Sequence, residues 1–204
     1  LKDKAEATGM SARQWVLRQA THEDVPHLMP LIERSVLTLQ AKDYSQSQLE
    51  AALGTVYGVD MALIADCTYY VVVDQDGKII GCGGWSRRAT LFGVHKLVRD
   101  DSALKPGVDP ARIRAFFIDP DWARCGIASA ILGACEAAAL AEGFTTLSLA
   151  ATLTGVAFYR RHGFIEVRQF DTPLPNGEGM ALLAMEKRLK PFTIAGAASA
   201  IWEP

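Results

Sequence analysis

No stretch of this chain approaches the roughly 20 apolar residues that a membrane-spanning helix needs, although 50% of its 204 residues are hydrophobic. The most apolar segment, Ile131 to Leu140, is rich in alanine and broken by Glu136, and reads as core helix. Positive charge is also scarce. A formal net charge of -2 offers no basic surplus for a nucleic acid or an anionic membrane surface, so neither is expected as a partner. The four cysteines, Cys67, Cys82, Cys125 and Cys135, form no CxxC pair and no zinc spacing, which points to a reduced, cytoplasmic setting. His22-Glu23 and His27 approach a zinc pattern, but the second histidine stands one residue late and Pro26 intervenes, so no metal is expected. The G-x-G-x-x-G fingerprint and the Gly-Lys-Ser/Thr triplet are both missing, which excludes the common dinucleotide and P-loop sites. Residues 1–13 mix both charge signs without an apolar block, so no secretory leader is expected.

What remains is enough apolar material for one core, in a chain of single-domain length. Neither an internal repeat nor a second domain is evident. The expected division is an extension over 1–13, a domain over 14–190 and an Ala-rich tail over 191–204 in which nothing suggests chemistry.

Trp15 to Ala20 alternates and reads as a first strand. Thr21-His22-Glu23-Asp24 is a helix start, with acidic residues in the first turn, followed by Leu28, Leu31, Ile32, Val36 and Leu39 at helical spacing. Pro26 is tolerated in that first turn, whereas Pro30 is expected to kink or shorten the helix. Ser45 and Gln48 form a capping box for a second helix. Tyr69–Val73 and Lys78–Trp85 read as strands joined at Asp76-Gly77, with Gly81, Gly83 and Gly84 marking a bulge or a close backbone approach. Ser86 to Ala111 has little periodicity, and an excursion of that length is more often functional than idle. Ile165–Phe170 and Met180–Lys187 read as a closing hairpin.

The organising stretch is Arg112 to Ser129, RIRAFFIDPDWARCGIAS. It reads as a strand, a loop closed by Pro120 and the start of a helix, with small residues Gly126 and Ala128 at the turn. Amides at a helix N-terminus lack intrahelical partners and carry the positive end of the helix dipole, so the N–H groups of Arg124, Cys125, Gly126, Ile127, Ala128 and Ser129 are candidates to wrap a diphosphate. Arg124 adds a cation. Ile127, Ile131, Ala134, Ala138 and Ala141 are expected to form the apolar stripe of the following helix, which ends near Gly143. Thr145–Ala150 is then a strand parallel to Ile113–Ile118, since a helical crossover separates the two.

The series Ile118-Asp119-Pro120-Asp121-Trp122-Ala123-Arg124-Cys125-Gly126-Ile127-Ala128 resembles the acetyl-CoA signature of the Gcn5-related N-acetyltransferase (GNAT) superfamily: Arg or Gln, two residues, Gly, one residue, Gly or Ala. Ala123 takes the Arg/Gln place and Arg124 comes one position later. One helix and one strand on, Ala157-Phe158-Tyr159-Arg160-Arg161-His162-Gly163-Phe164 is similar to the superfamily's second hallmark. The resemblance covers Trp15 to Leu189. It implies a mixed, mostly antiparallel α/β sheet of about seven strands with helices on both faces. It also implies transfer of an acetyl group from acetyl-CoA to an amine, and first helices that wall the acceptor site.

On this resemblance, the fourth and fifth strands part after Ile118 and leave main-chain groups of Phe117 and Ile118 for the pantetheine arm. Thr152 stands where relatives carry an Asn on that arm, and Phe158 lies beside the cofactor. Tyr159 is the candidate general acid, because a phenol of pKa about 10 can protonate a thiolate whose acid has a pKa of about 8.5. Packing alone is the other reading of Tyr159, and inert bulk that of Cys125. The N–H of Ile118 is a candidate to polarise the thioester carbonyl. The general base stays open, with Asp43 or Tyr44 acting through water as one route. Arg87, Arg88 and Arg114 read as solvated surface or as an anion site. A CoA-binding protein without catalysis, and an acyltransferase with a longer acyl chain or an alcohol acceptor, are the rival readings. The amine acceptor is expected to be a small molecule, and a homodimer is possible.

Overall fold

Alternating and β-branched segments pair as the sequence suggests, and the computed structural model describes residues 14–93 and 100–190. The proposed extension over 1–13 and tail over 191–204 lie outside the described residues. Seven strands, β1 (Trp15–Gln19), β2 (Tyr69–Asp74), β3 (Ile79–Ser86), β4 (Ala111–Ile118), β5 (Thr146–Thr152), β6 (Ile165–Pro173) and β7 (Gly179–Arg188), form one sheet in the order β1-β2-β3-β4-β5-β7-β6. Every neighbouring pair is antiparallel except β4 and β5. The helices are α1 (Val25–Leu39), α2 (Gln46–Ala52), α3 (Met61–Ala65), α4 (Ile127–Ala141) and α5 (Leu153–Arg161).

The sheet is covered on both faces. On one, Leu28, Ile32 and Val36 of α1, Leu49 of α2 and Leu63 of α3 pack with Tyr69, Val71, Cys82 and Phe117. On the other, Ile127, Ile131, Leu132, Cys135 and Ala139 of α4 pack with Val72, Ile80, Ile113 and Leu147. Two helical expectations change. Pro30 does not shorten α1, which runs on to Leu39. The buried stripe of α4 is Ile127, Ile131, Cys135 and Ala139, while Ala134 and Ala138 lie on its flanks and Ala141 is exposed. In an alanine-rich helix hydropathy barely distinguishes the faces, so packing against the sheet decides.

One irregularity in β4 shapes everything near the site. Pairing with β3 runs Gly81 to Ile118 and Cys82 to Phe117, but Gly84 to Arg114, which leaves one extra residue on β4. Ala115 takes it up with φ 56, an unusual conformation for a residue with a side chain. A Cβ at Gly83 would lie 2.6 Å from the Phe116 ring, so this glycine leaves room for that ring against β3.

Candidate active site

The site begins where β4 and β5 separate. They pair only at Ala111 with Leu147 and Arg112 with Ser148, whereas β5 pairs with β7 over seven residues from Thr146 to Thr152. The split therefore opens just past Arg112, much earlier than the expected point after Ile118, and the Ala115 bulge falls within the separated stretch of β4. A cleft of about 870 Å³ fills the gap, lined by β4 from Ile113 to Ile118, by the loop and first turn of α4, and by α5.

At one end lies the turn into α4. Asp119 caps a 3-10 turn over Pro120–Trp122 by accepting from the Asp121 amide at 3.0 Å. Arg124 and Gly126 then take positive φ values of 63 and 81, and α4 starts. Among the described residues, the amides of Arg124, Gly126, Ile127, Ala128 and Ser129 meet no acceptor; the first helical bond is from Ala130 to the Gly126 carbonyl, at 3.0 Å. The expected run is interrupted once, because the Cys125 amide reaches the Trp122 carbonyl at 3.4 Å. Arg124 and Arg161 line the cleft with no ion-pair partner among the described residues. Ser129 Oγ and His162 Nε2 are 3.0 Å apart at the same end. Burial, and then the Lys187 and Arg161 charges, hold His162 below the ordinary histidine pKa.

Further along, Tyr159 is 9% exposed and lines the cleft. Its ring is edge-on to Phe116, Phe158 and Phe164, with centroids 6.3, 5.1 and 5.5 Å away. Burial pushes the phenol pKa well up, with a smaller contribution from Cys135. The helix that carries it is anchored at its start: Tyr44 Oη donates to the Ala181 carbonyl at 2.7 Å and accepts from the Leu153 amide at 2.8 Å. Thr152 caps α5, its Oγ1 accepting from the Gly155 amide at 3.2 Å, which leaves its hydroxyl proton and one lone pair to offer.

Three further expectations are revised by these contacts. The main-chain groups of Phe117 and Ile118 are not both open. Asp119 N–H bonds to the Ile80 carbonyl at 2.9 Å; by strand alternation Phe117 also turns its main chain to β3, and Ile118 faces the gap. There the Ile118 N–H donates to Ser35 Oγ at 3.1 Å, so it is engaged rather than free to polarise a carbonyl. Tyr44, pushed up to about 12 chiefly by burial and hydrogen-bonded on both sides, is unsuited to take a proton. Asp43 is held by Thr154 Oγ1 at 2.5 Å.

The arginines are neither free anion receptors nor all solvated surface. Arg114 is 5% exposed and pairs with Asp60 at 2.7 Å. Arg88 grips both oxygens of Asp66, and Arg87 meets Glu142 at 3.1 Å.

The reading of the sequence missed Arg34 and Ser35 on α1. Arg34 bonds Asp119 at 2.5 Å and Asp121 at 2.7 Å, and Lys78 reaches the other Asp119 oxygen at 2.8 Å, so α1 and the turn into β3 clamp the loop. Ser35 is a polar residue inside the apolar stripe of α1, a signal that was available. Arg34 had none, since its partners are 85 and 87 residues away.

A seven-stranded mixed sheet split at its parallel pair, with helices on both faces, is the acyl-CoA N-acyltransferase fold. The family model described as an acetyltransferase (GNAT) domain matches residues 65–166, half of the chain. The chain belongs to this family, the GNAT-type acetyltransferases, whose acyl donor is acetyl-CoA. No curated protein matches it in sequence. Among solved structures it is similar to a GCN5-related N-acetyltransferase from Rhodopseudomonas palustris, with 22% identity over 88% of this chain and 99% of that one and a TM-score of 0.64. It is also similar to the PaiA N-acetyltransferase of Thermoplasma acidophilum, solved with coenzyme A, at 16% identity over 86% and 99% of the two chains and TM-score 0.59. The ribosomal-protein-S18-alanine N-acetyltransferase of Escherichia coli follows at 16% identity, 93% and 100% coverage and TM-score 0.53. At these identities the likenesses speak for the fold. No helix among the described residues is long and apolar enough to cross a membrane.

Proposed function

We propose that this enzyme transfers the acetyl group of acetyl-CoA directly to the amine of a small-molecule acceptor, with the Tyr159 hydroxyl as the hydrogen-bond donor to the leaving sulfur. The observation that carries this reading is the set of five amides without acceptors, at Arg124 and Gly126 to Ser129, opening into the same cleft as the Tyr159 ring. The amides and the Arg124 guanidinium hold the diphosphate, Thr152 and Phe158 flank the arm, and the thioester lies toward Tyr159. The amine nitrogen bonds to the carbonyl carbon while the π pair moves to oxygen; collapse of that intermediate breaks the C–S bond. The Tyr159 hydroxyl hydrogen-bonds to the departing sulfur, and the surplus proton of the amine leaves through water.

Burial qualifies the Tyr159 role. Because its pKa is raised further above that of a thiol, complete proton transfer is more uphill than for an ordinary phenol, and the group acts mainly as a fully protonated hydrogen-bond donor. The cleft also runs past Thr38, Leu39, Tyr57 and Phe92, an apolar and aromatic half suited to an acceptor with some hydrophobic surface. Four free cysteines support a reducing, cytoplasmic setting.

A panel of small amines scored by release of free thiol from acetyl-CoA tests the reading. Turnover above background with at least one amine is expected. Acetyl-CoA binding without thiol release across the panel would instead favour a non-catalytic CoA-binding protein, and a co-purified longer acyl-CoA would contradict acetyl as the group moved.

A further inference from the structure

Ser35 occupies an unusual place. It lies on the sheet-facing side of α1 beside the buried Leu31, Ile32 and Val36, is itself only 4% exposed, and lines the cleft. Its partner, the Ile118 N–H at 3.1 Å, is a main-chain donor that by strand alternation turns away from β3 toward the gap, where no β5 pairing reaches it. Ser35 thus satisfies a gap-facing donor that no strand reaches.

A hydroxyl has two lone pairs and one proton to give. One lone pair of Ser35 Oγ takes the Ile118 N–H; among the described residues no carbonyl or side chain, in α1 or elsewhere, takes the proton. A buried O–H without an acceptor is disfavoured, so the arrangement calls for an acceptor supplied from the cleft.

Its position identifies that acceptor. Ile118 ends β4, next to the loop that leads to the open amides, whereas Phe116 is the β4 residue whose ring meets Tyr159. The Ser35 hydroxyl therefore stands between the diphosphate end of the cleft and the phenol. Between the diphosphate and the sulfur of CoA runs the pantetheine arm, whose polar groups at that stretch are two secondary amides.

We propose that the Ser35 hydroxyl donates to an amide carbonyl of the pantetheine arm while accepting from the Ile118 N–H. The protein then reads the arm through a side chain of the acceptor-wall helix and not through the open edge of β4 alone. This rests on the acetyl-CoA reading above. An N–H to O–H to O=C chain polarises along its length, so the bond is stronger than an isolated hydroxyl bond. It also makes α1, which walls the acceptor half through Thr38 and Leu39, a direct sensor of the bound arm.

Calorimetric titration of the wild type and Ser35→Ala with CoA and with adenosine 3',5'-bisphosphate, which has no arm, separates the possibilities. The expected result is a Kd for CoA raised about tenfold in the variant, with the bisphosphate unchanged within twofold. Unchanged or tighter CoA binding would overturn the proposal, because the hydroxyl would then merely have blocked the Ile118 N–H. Equal weakening of both ligands would overturn it too, as a loss of fold. Should the variant not fold, two CoA analogues, each with one arm carbonyl replaced by methylene, are titrated against the wild type. Loss of about tenfold with one analogue supports the proposal and loss with neither refutes it. A wild type that binds neither CoA nor the bisphosphate would instead sink the acetyl-CoA reading itself.

Discussion

Tyr159 couples two properties that follow from one environment. The aromatic rings around it desolvate the phenol and raise its pKa, so the hydroxyl keeps its proton at pH values where an ordinary phenol begins to lose it. Tyr159→Phe is expected to lower kcat for thiol release by about 100-fold, the low end for a lost acid group, with CoA affinity unchanged by calorimetry. Because the shift is upward, loss of the Tyr159 proton should place no falling limb in the wild-type kcat profile below about pH 10. A decline that disappears in Tyr159→Phe would contradict this assignment.

Asp119 shows the opposite shift. Burial would raise its pKa, but the Lys78 ammonium, the Asp121 amide and the Arg34 charge outweigh burial and hold it below the ordinary carboxylate value. The carboxylate therefore contributes stability that is present above the unfolded pKa of about 3.9 and is lost as pH falls through the lower folded value. Asp119→Asn should cost about 1–3 kcal/mol at pH 7 and flatten the acid limb of stability below about pH 4, measured by urea unfolding across pH.

At the scale of elements, the turn into α4 sets stability against function. Arg124 holds φ 63 although it is not glycine. Such a conformation costs about 1 kcal/mol that glycine would not incur. Arg124→Gly is expected to raise the midpoint of thermal unfolding by about 2–4 °C and to weaken CoA binding, since the cation is lost. Gly126 differs: its φ is 81, and an added Cβ would meet no protein atom within 4 Å. Gly126→Val should therefore lower stability through backbone strain alone, while CoA affinity falls more than tenfold as a side chain enters the space kept for the ligand. Equal losses in both measurements would argue against a diphosphate at this turn.

For the whole molecule, the cleft is a defect in the sheet held open from both sides. Arg34 and Ser35 of α1 tie down the end of β4 and its loop, and Tyr44 ties α5 to β7. A ligand that fills the gap binds only the folded state. CoA at 100 times its Kd is expected to add about 2.7 kcal/mol, a rise of roughly 5–10 °C in thermal unfolding for a chain of this size. Adenosine alone at the same concentration should give much less.

Local chemistry made much of this legible without coordinates. The Asp76-Gly77 turn closes β2 onto β3, with Asp74 Oδ1 accepting from Asp76 and Lys78. Ser45 and Gln48 exchange the expected capping bonds, and Gly126 opens α4. These depend on residues a few positions apart, so the order of the strands and of every helix but α3, the family and the amide-rich turn could be read directly from the chain. The place where β4 leaves β5, the burial that turns Tyr159 from a ready acid into a steady donor, and the engagement of the Ile118 N–H by Ser35 could not. Each joins residues from elements far apart in sequence, and only the packing of α1 and α5 across the split sheet decides which polar groups are satisfied within the protein and which are left for a ligand.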